Sequence, residues 1–146
     1  VTTFVTRQTA RGALVTLFEG TNKWDKVYGY QPNSFNKRAS VLTIRSGGTQ
    51  WSMASQHTNP TAYHFIVVSY IIVDDTASWN ADEAEDQLDE LGRVFRQTIR
   101  DNVGSIAGAD YLQVPDSPST TGFVFVSSVE YRFEEFEITA HYVAGS

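Results

Sequence analysis

The chain contains no cysteine in its 146 residues. That excludes a disulfide framework, a thiolate zinc site, an iron–sulfur cluster and a cysteine nucleophile, and says little about compartment. Long apolar runs are missing too. The longest, Phe65 to Val73, is interrupted by Ser69 and Tyr70 and reaches about half of the ~20 residues a membrane-spanning helix needs. No membrane contact is expected. Histidine is scarce: His57, His64 and His141 are the only three. There is no H-E-x-x-H and no histidine pair at helical spacing, so no metal site is expected. No G-x-S-x-G frames a serine nucleophile. Ser52 or Ser55 with His57 and Asp74 is a set that chance readily supplies in a chain rich in Ser and Asp. Gly47-Gly48 is a lone pair, not the G-x-x-x-x-G-K-[ST] phosphate loop. The opening Val-Thr-Thr-Phe-Val-Thr-Arg has no charged leader followed by an apolar segment, so no signal peptide is expected. These absences leave no catalytic residue and no cofactor to nominate.

What remains is the composition of a globular domain. Hydrophobic residues make up 41% and charged residues 19%, which is neither a disordered tail nor a membrane protein. A chain of this length suits one domain, residues 1–146, burying roughly 68–70% of its unfolded surface. The net charge of −6 is unevenly spread. Residues 1–60 carry Arg7, Arg11, Lys23, Lys26, Lys37, Arg38 and Arg45 against Glu19 and Asp25, while residues 61–146 carry four Arg against fifteen acids. Such a chain can fold back and neutralise itself, or offer one sign to the other sign on a neighbouring copy.

Apolar periodicity sets the expected elements. Phe4, Ala10, Leu14, Leu17 and Phe18 recur at helical intervals, and Gly20 stops that helix. Val41 to Arg45 reads as a strand, Ser46 to Thr49 as a turn, and Gln50 to Ala54 as the return strand. Ser55 to Thr61 reads as a loop. Tyr63 to Val73 is a long strand with both alternating sets apolar, which is the pattern of a strand covered on both faces. One face should pack on helices, and the other needs cover that the chain has few elements to supply. Asn80 to about Asn102 is a helix. It has an Asn80/Glu83 capping pattern, acidic first turns, basic last turns, and a stripe of Ala84, Leu88, Leu91, Phe95 and Ile99. Val103-Gly104 should end it. A short strand at Tyr111–Val114 and two closing strands follow. In the last, the apolar set moves from odd positions (Val129, Tyr131, Phe133) to even ones (Phe136, Ile138, Ala140, Tyr142), which predicts a β-bulge or a turn at Glu134-Glu135. The expected fold is α+β: a mainly antiparallel sheet with an N-terminal helix and one long central helix packed on one face.

Paired carboxylates recur at Asp74-Asp75, Asp82-Glu83, Glu85-Asp86, Asp89-Glu90 and Glu134-Glu135. Solvation and the helix dipole account for the central group, and a turn for Asp74-Asp75. The segment from Lys23 through Trp24, Lys26, Tyr28, Tyr30, Phe35, Lys37 and Arg38 interleaves aromatic with basic residues. That composition can bind single-stranded nucleic acid, but the RNP pattern is absent and the chain is acidic. Protein contacts suit it better, because aromatic residues and Arg anchor interfaces.

Several segments together carry a resemblance. They are Tyr63-His64-Phe65-Ile66-Val67-Val68-Ser69-Tyr70; Ala84-Glu85-Asp86-Gln87-Leu88-Asp89-Glu90-Leu91; Val124-Phe125-Val126; and Tyr131 through Ala140 with its Phe136-x-Ile138-x-Ala140 ending. In that order, behind an N-terminal helix and a hairpin, they resemble the tail terminator proteins of long-tailed bacteriophages. The resemblance implies a non-enzymatic virion protein at the tail–head neck, assembled in the host cytoplasm. It implies a homo-oligomeric ring, six copies by analogy, that caps the tail tube, ends its polymerisation and meets a head-side connector or stopper protein. DNA would pass through the lumen without sequence-specific binding. Residues 20–62 match no family pattern. The chain's own charges suggest the contacts: Arg7, Arg11, Lys37, Arg38 and Arg45 facing Asp82, Glu85, Asp86 and Glu135 between subunits, with Trp24 and Tyr30 as aromatic anchors. The alternatives are another head–tail connector or tail tube subunit, a small nucleic-acid- or ligand-binding α+β domain, and a hydrolase using His57 or His64.

Overall fold

The computed structural model describes residues 5–51, 58–73, 80–102, 109 and 111–145. They form an α+β fold with a mixed sheet of six strands and two helices. Helix α1 (Arg7–Glu19) starts at Thr6, whose hydroxyl accepts the Thr9 N–H at 3.1 Å. This satisfies an amide that the first turn would otherwise leave open. Ala10, Leu14 and Phe18, spaced by four, are buried. Helix α2 (Ala81–Asp101) is capped by Asn80, which accepts from Glu83 N–H at 2.9 Å and donates to the Glu83 carboxylate at 3.2 Å. The expected stripe is buried throughout: Ala84, Leu88, Leu91, Phe95 and Ile99. The expected stop at Val103-Gly104 lies outside the described residues.

The strands are β1 (Lys26–Tyr28), β2 (Ser40–Trp51), β3 (Thr58–Ile72), β4 (Tyr111–Gln113), β5 (Thr120–Val126) and β6 (Val129–Gly145). The sheet order is β1-β2-β3-β6-β4, with β5 also on β6. Only β1 on β2 is parallel. Strand β6 spans roughly 55 Å at 3.3–3.4 Å per residue. One side of it pairs with β3 from Ile72↔Tyr131 to Thr58↔Gly145. Its other side takes β5 opposite Val129–Glu135 and β4 opposite Thr139–His141, so those two strands lie end to end along one edge.

Both helices cover one face of this sheet. Leu42, Ile44, Phe65, Val67, Ile71, Phe136, Ile138 and Ala140 form one cluster there with Leu14, Phe18, Leu88 and Phe95. On the other face, Val41, Val68, Tyr70, Ile72 and Tyr131 close over Phe35. The two-sided apolar pattern of the long strand is therefore real. Half of its second face is covered from within the chain, by the segment around Phe35. The other half carries Arg45, His64, Ile66 and Glu135, mostly polar and at least partly exposed, beside the buried Thr139.

Several expectations are corrected: Gln50-Trp51 continues β2 and does not return along it, and Thr58–Thr61 belongs to β3 and not to a loop. Ser46–Thr49 is not a turn: β2 runs through it, and a bulge between Ser46 and Gly48 shifts its register against β3. Gly48, at φ 142°, holds a backbone conformation open only to glycine. The sequence expected an irregularity at Glu134-Glu135, but the β3–β6 register runs unbroken through the pair. Strict alternation continues and it is the cover that changes sides. At Tyr131 the apolar lid is Phe35 on one face, and from Phe136 onward it is the helices on the other.

Candidate interaction surfaces

The two described histidines, His64 and His141, each meet a polar side chain of a paired strand. His64 Nδ1 meets Thr139 Oγ1 at 2.9 Å, and His141 Nε2 meets Gln113 Oε1 at 2.8 Å. Burial, with a smaller effect from His64, holds His141 below the usual imidazole range. His57, Ser52, Ser55 and Asp74 lie outside the described residues. Among the described residues no group of three or more His, Asp or Glu is placed to hold a metal ion. A cavity of about 510 Å³ between α2 and residues 114–119 is lined by Asp89, Arg96, Pro115, Glu134 and Phe136. Its Glu134 carboxylate accepts from Ser119 Oγ at 2.6 Å, a structural tie across the cavity.

The aromatic–basic segment gives Trp24 and Phe35 to the interior, while Lys23, Lys26, Lys37 and Arg38 are exposed. Trp24 is only 7% exposed. Its indole N–H donates to the buried Ser69 hydroxyl at 3.0 Å, and it meets Phe18 edge-on at 5.9 Å. Trp24 therefore belongs to the core and offers no surface anchor. Phe35 is buried between Tyr70 and Tyr131. Tyr30 alone of the expected anchors stands out, at 60% exposure, resting edge-on against Tyr28. A stacking platform for nucleic acid needs a row of exposed rings, and this segment has given up most of its row to the interior.

The expected charge partners are also partly taken within the chain. Glu85, on the first turns of α2, receives Arg132 Nε at 2.7 Å and Nη2 at 3.1 Å. This two-pronged bond holds the Glu85 carboxyl below its ordinary range, with the Arg132 charge a further contribution. Arg132 also donates to the Gly122 carbonyl at 2.9 Å, tying α2, β5 and β6 together. Glu135 faces Arg45 at 4.0 Å, a loose and exposed pair worth little. Arg7 reaches Thr49 and Arg11 reaches Ser46, fastening α1 to the bulged strand. Lys37 and Arg38 sit exposed on a turn with Asn36 and Lys37 in the left-handed region. Asp82 and Asp86 are exposed on α2. Of the eleven residues, then, Arg11, Glu85 and Trp24 have structural work inside the fold. Tyr30, Lys37, Arg38, Asp82 and Asp86 are exposed, as are Arg7 and Arg45, and Glu135 is half-buried.

Two surface residues escaped the sequence reading. Phe123 and Phe125 are 59% and 68% exposed. They stand on the outer strand β5, opposite Arg132 and Glu130 and thus on the helix-bearing face, with Phe123 under the Arg132 guanidinium at 5.0 Å. The signal was legible: Phe123-Val124-Phe125-Val126 is apolar at both parities, which an edge strand of a small domain cannot fully bury.

No protein-family model matches the chain, and no curated protein matches it.

Proposed function

We propose that this chain is a structural subunit of a long-tailed bacteriophage. In this reading it is a tail terminator that closes into a ring of six copies, caps the tail tube, ends its polymerisation and receives the head-side connector. It acts by shape and contact, without catalysis or cofactor, and DNA passes through the ring without sequence-specific binding. The ring belongs to the virion neck and is assembled in the host cytoplasm.

The observation that carries this reading is a sheet whose two unlike edges take no further strand among the described residues. The β1 edge carries Lys26 with Tyr28 and Tyr30 beside it. The β5 edge carries Phe123 and Phe125, with Glu130 beside them. Unlike edges on one subunit match head to tail, the kind of contact that generates rings when it closes. The order of elements supports it: a leading helix, paired strands, a long strand, a long capped helix and closing strands, as the resemblance implies. The same observation favours a tail tube subunit as second reading, because a head-to-tail contact that fails to close gives filaments. The test is mass and shape in solution. Light scattering and negative-stain microscopy of the purified chain should give one discrete ring, and the chain added to polymerising tube protein should cap it. Open filaments of the chain alone would favour the tube subunit, and a strict monomer bound to no tube would end both readings.

A further inference from the structure

We infer that the corner of the helix-bearing face around Phe123 and Phe125 is the docking site for a second copy of this chain, which presents the opposite face of its sheet at Tyr30, Lys37 and Arg38. Neighbouring copies then stack front on back, a head-to-tail repeat. The number of copies rests on the ring reading, but the two surfaces come from the fold itself.

The strand registers place both surfaces. Lys26↔Val41, Val41↔Tyr70, Tyr70↔Phe133 and Phe133↔Gly122 make one row across the sheet from β1 to β5. Val41, Tyr70 and Phe133 of that row pack with Phe35. Phe123, one residue along and opposite Arg132, falls on the helix-bearing face. The chain between β1 and β2 crosses the other face at this same end. Tyr30 rests edge-on against Tyr28, and Gln31 accepts from the Tyr70 hydroxyl at 3.2 Å. Phe35 then packs against Tyr70 and Tyr131, and the Arg38 carbonyl accepts from the Tyr131 hydroxyl at 3.4 Å. The two surfaces thus lie at one end of the sheet, on its opposite faces. A sheet continued edge to edge keeps them apart; the front of one copy laid on the back of the next joins them.

Charge selects the occupant. Beside Phe123 and Phe125 stand Glu130 on β6 and the exposed Asp82 and Asp86 on α2, while Glu85 neutralises the Arg132 beneath Phe123. The corner is apolar with a negative rim. The opposite face presents Tyr30 with Lys37 and Arg38, and the one acid there, Asp25, accepts from Ala39 N–H at 3.1 Å. Among the described residues Lys37, Arg38, Asp82 and Asp86 form no ion pair within the chain. Front on front gathers acids and back on back gathers bases, so only front on back matches opposite signs. Apolar exposure agrees with this. Tyr30, Phe123 and Phe125 are three of the four large hydrophobic residues exposed among the described residues.

The basic turn is also built to project. Arg38 N–H donates to the Phe35 carbonyl at 3.1 Å, and the two residues between are left-handed, Asn36 at φ 53° and Lys37 at φ 56°. Asn tolerates that region, whereas a lysine there is uncommon, and strain of this kind collects at contact sites. Phe123 and Phe125 expose roughly 250 Å² of ring surface, taking about 200 Å² for each whole side chain. That is about a third of the ~800 Å² per partner in a stable interface, so the crossing segment must lie on the corner along its length.

The experiment uses the full chain and two surface variants. F123D/F125D alters the receiving corner, and K37E/R38E alters the face it receives. All four positions are exposed, so both variants should keep the wild-type circular dichroism and melting cooperativity. Native mass spectrometry at equal concentration then decides. The inference expects a wild-type ring, each variant alone as a monomer, and their equimolar mixture as a one-to-one pair through the single intact contact. A ring from F123D/F125D overturns the docking site and leaves the ring reading standing. Assembly of K37E/R38E as in the wild type, with F123D/F125D monomeric, overturns the occupant, as does a mixture that stays monomeric. A monomeric wild type leaves the corner to a foreign partner and overturns the ring reading and this inference with it.

Discussion

Phe95 is the residue on which the two helices and the sheet meet, and its removal gives the most calculable perturbation. The ring is fully buried. It lies parallel to Phe136 of β6 at 4.1 Å and parallel to Phe18 of α1 at 5.5 Å, with interplanar angles of 12° and 2°. Three rings from three elements thus form one stack. Truncating a buried Phe to Ala costs about 3–5 kcal/mol in transfer and cavity free energy. Two aromatic contacts place Phe95→Ala at the upper end, about 4–5 kcal/mol. Domains of this kind hold about 5–15 kcal/mol in total, so the variant keeps a fold but loses much of its margin. With a urea slope of about 2 kcal/mol/M, the midpoint falls by about 2 M. The measurement belongs in the F123D/F125D background at fixed protein concentration, because assembly adds stability by mass action. Phe95→Leu, which leaves a smaller cavity, should lose about half as much. A loss below about 1.5 kcal/mol for Phe95→Ala would refute the three-ring keystone.

Two glycine replacements should have opposite signs. Gly48→Ala forces a φ of 142° on a residue with a Cβ, where nothing crowds the added methyl, and should cost about 1–3 kcal/mol of backbone strain. Gly12→Ala, in open space on α1, should gain about 0.5–1 kcal/mol; paired thermal melts compare the two. Asn80→Ala removes the α2 cap and should cost about 1 kcal/mol by urea titration. Glu85 has a folded pKa below its ordinary 4.5. Its contribution is therefore full above that value and is lost as pH falls through the lower folded one. Arg132→Leu should be less stable at pH 7 and should show a shallower loss as the pH falls below Glu85's ordinary 4.5, read from urea midpoints across the acid range.

Much of the fold was legible because the helices carry local signals. The Asn80–Glu83 cap and the Ala84-to-Ile99 stripe fix α2 from within a few turns, and Ala10, Leu14 and Phe18 do the same for α1. The strands were read with more error, since strand patterns report cover, and cover is tertiary. The change of parity after Phe133 looked like an irregularity of the strand itself; it records Phe35 on one face giving way to α2 on the other. Ser46-Gly47-Gly48-Thr49 has turn composition, yet the glycines serve a bulge in a continuous strand. At the surface, residue type misled. Trp24 has the chemistry of an interface anchor, but its indole found Ser69 within the core. Glu85 has the sign expected of a docking acid, but Arg132 of the same chain already pairs with it. Phe123 and Phe125 were passed over because a strand apolar at both parities reads as core unless its edge position is taken into account.

The most direct test of the account is the mass of the purified wild-type chain at micromolar concentration and physiological salt. A single species at six times the 16.3 kDa of the chain is the predicted result, converted to monomer by F123D/F125D. A wild-type chain that stays at 16.3 kDa, with both sheet edges bare, would contradict it.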